Sequence, residues 1–157
     1  MYAANKDRSA ADIGRDAAAS WDRLEAAVAA CSEHDLAKPH PRDSSRPVWL
    51  SVPGNGHGHL AQHLTFQSLD EGDQARAEEA QVWSHDVDMA AFSEPVPRAF
   101  SDYNLACFYA IVGRASEAAD LLRKSFAAAA ELKNVAERDR DLDRIRDTAA
   151  LKELLAT

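Results

Sequence analysis

The sequence predicts an all-α protein built of antiparallel helix hairpins, on three observations. Apolar residues recur at three- and four-residue steps through most of the 157 residues, as they do in helices with one buried face. Gly72 and Gly113 stand where one helical stretch passes into the next, and a residue just after a helix often needs positive φ. The only strand-like island is Val48-Trp49-Leu50-Ser51-Val52, inside a proline- and glycine-rich loop over 38–58, and five residues cannot build a sheet.

Apolar content of 46% is enough for a packed core. The net charge of −8 argues against nucleic acid or an anionic membrane surface as the main partner. No apolar run approaches the roughly 18 residues of a membrane span. Lys6, Asp7, Arg8 and Asp12 break up any signal-peptide core, so a cytoplasmic protein is expected. Cys31 and Cys107 both fall on apolar helix faces and read as reduced core residues, with His34 near Cys31 as the one hint of thiol chemistry.

In chain order, Ile13, Ala17, Trp21, Leu24, Val28 and Cys31 form a heptad-like seam on one long helix over 9–32, opposite a charged face. Such a seam calls for a helical partner. Helices are predicted next over 58–70 and 73–91; Trp83, Val87 and Met89 of the latter are placed to cover that seam. Pro95 and Pro97 end this helix, because each removes a donor and disfavours helical geometry in the residue before it. Two further helices are predicted over 98–112 and 115–132. From Asn134 to Asp147 the charges alternate in sign, which marks a solvated, self-paired stretch from which Leu142 and Ile145 pack down. Asp147 is placed to cap a last helix over 148–155.

In the pair of helices over 98–132, Leu105, Phe108, Tyr109 and Val112 make one stripe, and Ala106 is small enough for a second helix to approach closely. Leu105, Ala106 and Tyr109, followed by Ala118 and Leu122, have the spacing of a tetratricopeptide repeat, which this stretch resembles. A shift of 41 residues superposes Leu64-Thr65 on Leu105-Ala106, Gly72 on Gly113 and Ala77 on Ala118, so an earlier, degenerate unit is expected over 58–91. The tail Asp141-Leu142-Asp143-Arg144-Ile145-Arg146-Asp147 also resembles the segment after the last repeat in such proteins. The resemblance implies a surface that holds a peptide or partner protein, with Tyr103, Asn104 and Arg76 on the groove side.

The first helix, from Ala19-Ser20-Trp21 to Asp35-Leu36, resembles the opening helix of DinB-like four-helix bundles. In that family a His-x-x-x-His pair on the last bundle helix helps hold a divalent metal, and His59 and His63 match the pair. That resemblance implies a zinc, nickel or iron ion and a further histidine from an earlier bundle helix; no such helix is legible in this chain, which leaves His57, then His34, His40, His85 and Asp70, as candidates for a third ligand, none at a diagnostic spacing.

Two functions are expected. One is a helical protein-interaction module binding a peptide or protein, with no cofactor. The other is a small metal-dependent enzyme of thiol or hydrolytic chemistry using His59 and His63. No P-loop, dinucleotide fingerprint, nucleophile elbow or Cys-x-x-Cys motif occurs in the chain. The chain is expected to divide into 1–57, the long helix and its loop, and 58–157, the helical hairpins with a capping helix. Because the seam of the first helix lacks enough partner helices, two copies are expected to pair as a homodimer.

Overall fold

A computed structural model of the chain describes residues 8–50 and 54–156. The fold is all-α, and the chain divides into two units, 1–52 and 53–157.

In the first unit, α1 (Ala10–Ala29) starts where the Ser9 hydroxyl accepts from the Asp12 N–H, and α2 (Glu33–Leu36) starts at a capping box between Ser32 and Asp35. The helix ends at Ala29, three residues short of the expected bound, because Ser32 captures the chain for the next cap. Trp21, Leu24 and Ile13 of the seam are all exposed, Trp21 by 51%. Cys31 is exposed as well, its thiol donating to the Ala27 carbonyl, which corrects its reading as a core residue.

The loop contains what the sequence did not suggest, a small antiparallel ladder of β1 (Pro39–His40) and β2 (Asp43–Pro47). The expected strand island is instead a 3-10 turn over its described part, Val48–Leu50; Ser51 and Val52 lie outside the described residues. The Val48 N–H is already taken by the Lys38 carbonyl at 2.9 Å, closing the ladder before the apolar run begins.

The second unit opens with a wide turn, Gly54–Gly58, and runs through α3 (His59–Asp70), α4 (Gln74–Ala91), α5 (Pro95–Ile111) and α6 (Ala115–Ala128). A short α7 (Leu132–Ala136), a 3-10 segment (Arg140–Ile145) and α8 (Ala149–Ala156) complete it. The turns α3–α4 and α5–α6 are built alike. At the first, Gly72 has φ 78° and donates to Leu69, while Asp73 donates to Ser68. At the second, Gly113 has φ 82° and donates to Ala110, while Arg114 donates to Tyr109. Both are Schellman closures, in which glycine takes the left-handed conformation that the orphan carbonyls require. At Gly113 the demand is also steric, since an added Cβ would stand 3.0 Å from the Arg144 guanidinium carbon.

Three side-chain contacts set α4 antiparallel to α5 in a constant register: Glu78 with Tyr109, His85 with Asp102, and Met89 with Arg98. Between α3 and α4 the interface is made of small residues, Ala61, Thr65, Ser68, Ala77 and Ala80, all buried. Gln81 donates to the Thr65 hydroxyl at 2.9 Å across it. The main core lies between α5, α6 and the C-terminal segments, where Leu122, Leu132, Leu142, Ile145 and Leu151 are fully buried.

In the second unit two helix bounds and one cap differ from expectation. The helix expected at 98 starts at Pro95, because the first-turn N–H groups have no intrahelical acceptor and proline there loses nothing. The helix expected to reach 132 breaks at Ala129, whose φ of −143° and ψ of 79° are not helical. The last helix is capped by Thr148, whose hydroxyl accepts from the Leu151 N–H; Asp147 pairs with Lys152 instead. The stretch 134–147 is less solvated than its charges suggest. Leu142 and Ile145 do pack down, but Arg144 donates to the Ile111 carbonyl and Arg146 to the Ala136, Glu137 and Asp139 carbonyls, so two of its arginines cap helix ends.

Candidate functional site

The groove residues expected from the sequence separate in the fold. Asn104 is exposed on α5, in line with Phe100 one turn and Val96 two turns before it. Tyr103, turned about 100° from it, is buried, its hydroxyl donating to Asp139 at 2.8 Å, so it is not part of an open surface. Arg76 is exposed in the first turn of α4, with Glu71 at 3.8 Å. By the α4–α5 register Arg76 is level with Ile111, about 10 Å along the helix from Asn104.

The histidines fall into two kinds. His59 and His63, one turn apart at the exposed start of α3, have their Nε2 atoms 3.1 Å apart, so one imidazole donates to the other. His57 is held elsewhere, its Nε2 2.9 Å from Asp88 and its ring edge-on to Trp83. His85 is likewise bound, to Asp102 at 2.9 Å. These two His–Asp pairs tie α4 to the turn before α3 and to α5. Among the described residues no third histidine, cysteine or carboxylate joins His59 and His63 within 4.8 Å. A catalytic zinc takes three protein ligands, so the residues present hold two of the positions such an ion needs and do not complete the site.

A buried polar cluster, which the sequence did not suggest, lies under the 3-10 segment. One Asp139 carboxyl oxygen accepts from the Tyr103 hydroxyl and, at 3.7 Å, from the Cys107 thiol; its other oxygen accepts from the Asp141 N–H at 3.0 Å. Burial first, then the neighbouring aspartates, hold the Cys107 thiol well above its ordinary range, and burial with the Asp139 bond does the same to the Tyr103 hydroxyl. Burial and the charges of Asp139 and Asp143 also push the Asp141 carboxyl up. Such a thiol stays protonated and is a poor nucleophile. Its chemistry here is structural, joining α5 to the C-terminal segment.

This gives a pH dependence with a definite sign. As pH rises past about 8.5 the unfolded chain loses the Cys107 proton while the native fold keeps it. Stability is therefore full below that pH and falls above it, by about 1.4 kcal/mol per pH unit, with Tyr103 adding its share from about pH 10. Urea unfolding at stepped alkaline pH measures the slope, and Cys107→Ala is expected to flatten its first part. An equal slope in that variant would place the loss elsewhere.

Beside the second turn, Arg114 stacks 4.4 Å over the Tyr109 ring and pairs with Glu78 at 2.6 Å and with Glu117. Tyr109 also donates to Glu78, so the turn is fastened to α4. The charges that do chemistry elsewhere are here spent on holding helices together. Comparison with family models, with curated proteins and with solved structures returns no match.

Proposed function

We propose that the chain is a helical protein-interaction module of the tetratricopeptide type, which holds a peptide or partner protein on its helical unit. The observation that supports this most directly is the likeness of the two turns. Gly72 and Gly113, 41 residues apart in the chain, carry the same φ and the same pair of hydrogen bonds, and Ala77 and Ala118 are both fully buried just beyond them. Two hairpins of one design stacked through α4 and α5 are put together as neighbours in a repeat array are, and the use of such an array is the surface it presents. Asn104 supplies a side chain able to bond a peptide backbone on that surface. A photo-crosslinking amino acid at position 104 tests the reading in living cells. Discrete protein adducts that are missing when the same group stands at Glu131 are expected; no adduct from position 104 would overturn it.

The second reading, a small DinB-like metal-dependent enzyme, is favoured by one observation, the 3.1 Å between the His59 and His63 nitrogens. Two imidazoles so close on one helical turn suit a single ion. Calorimetric titration with zinc or nickel, repeated on His63→Ala, tests it: tight stoichiometric binding lost in the variant supports the reading, and binding that the variant retains removes it.

A further inference from the structure

The start of α3 holds two metal-ligating side chains in the open. His59 and His63 are both exposed, and their Nε2 atoms stand 3.1 Å apart. Two imidazole nitrogens bound to one tetrahedral zinc at about 2.0–2.1 Å stand about 3.3 Å from each other, so the pair has the bite of that ion to within about 0.2 Å. The helix supplies the reason, since residues four apart lie one turn along the same face. His57 and His85 differ, because each is already bonded to an aspartate of another segment, Asp88 and Asp102.

One chain stops at two ligands. Among the described residues no third histidine, cysteine or carboxylate stands within 4.8 Å of the pair, whereas a closed zinc site takes four. Three features point to a second copy as the source of the other two. About a twofold axis the same surface meets itself, so a copy that offers two imidazoles receives two, and the tetrahedron is complete. The chain as a whole carries −8, yet α3 has no charged residue before Asp70, and imidazole ligands are neutral, so the positive ion itself stands between two acidic chains. Phe66, 45% exposed, lies within about 60° of both histidines round the helix and about a turn beyond His63, an apolar ring in water that a second copy would cover.

We infer that His59 and His63 are half of a zinc site that joins two copies of this chain, two imidazoles from each. When zinc enters, the imidazole that donates within the metal-free pair carries its proton on Nδ1 instead, so that both Nε2 lone pairs face the ion. The inference rests on the ion-holding pair of the second reading and changes its use. An ion with four protein ligands has no open position for water, so it links chains and does no hydrolysis. For an interaction module the consequence is a zinc-dependent doubling of the surfaces presented to a partner.

The test uses the untagged full chain, stripped of metal with a chelator and then titrated with zinc chloride, its mass read by sedimentation equilibrium and its bound zinc by elemental analysis after dialysis. The mass is expected to double at one zinc per two chains and to return to its starting value when chelator is added back. His59→Ala and His63→Ala each cut the four ligands to two and are expected to lose the doubling, whereas His34→Ala, exposed in the first unit, keeps it. All three positions are at the surface, and an unchanged thermal melt confirms that each variant is folded. Doubling that survives either His59→Ala or His63→Ala would overturn the site. A mass that zinc leaves unchanged would overturn the inference. One zinc per chain, lost in His63→Ala, would then leave the single-chain metal reading standing, and no bound zinc would remove that reading as well.

Discussion

Ala106→Trp is expected to lower the stability of the fold by about 3 kcal/mol or more, the upper range for severe overpacking. Ala106 is fully buried on α5, in the same core as Ala118 and Leu122 of α6, both also without exposed surface. Two alanines in that interface mean that the helices meet backbone to backbone, with no soft side chain to yield to an indole. The neighbouring large residues, Tyr103 and Phe126, are themselves buried and cannot swing out without losing their own packing. Ala128→Trp is the control. Ala128 is exposed at the last residue of α6, and a change there should stay within about 0.5 kcal/mol. Urea unfolding of the two variants measures the difference, and the reverse order would refute the register of this hairpin.

Asp139→Ala should be the next most damaging change, at about 2–4 kcal/mol. It strands the Tyr103 hydroxyl in a buried setting, which costs about 1–3 kcal/mol, and it removes the side-chain cap of the 3-10 segment, worth about 1 kcal/mol. That segment carries Leu142 and Ile145 into the core, so the loss reaches the packing of α5. A double-mutant cycle separates the two parts. Tyr103→Phe in the Asp139→Ala background removes the stranded hydroxyl and should recover part of the loss, whereas Tyr103→Phe alone should cost about 1 kcal/mol. A variant Asp139→Ala as stable as the parent would show that the bond to Tyr103 is idle.

The candidate surface was legible only in part. Val96, Phe100 and Asn104 recur every fourth residue, so their common face could be read from spacing. What hid it was the expectation that Pro95 and Pro97 lie outside the helix, which removed Val96 from the pattern. Tyr103 was misplaced for a different reason. It sits next to Asn104 in the chain, but on a helix that neighbour is turned by about 100°, and the C-terminal segment covers it.

The sequence by itself determined the helices and their joints, because both are local. A three-four apolar period selects a buried stripe, and a glycine able to take positive φ closes a helix whatever lies beyond it. It determined too that Leu142 and Ile145 leave a charged stretch to enter the core. Only the tertiary structure decided which charges serve as caps, which histidines pair with aspartates, and which cysteine is buried. Cys31 and Cys107 stand in equally apolar patterns, yet one is exposed and the other lies beneath Asp139, 32 residues on. The physical reason is distance along the chain: a period shows which face of a helix is apolar, and only the packing of remote segments decides what, if anything, covers it.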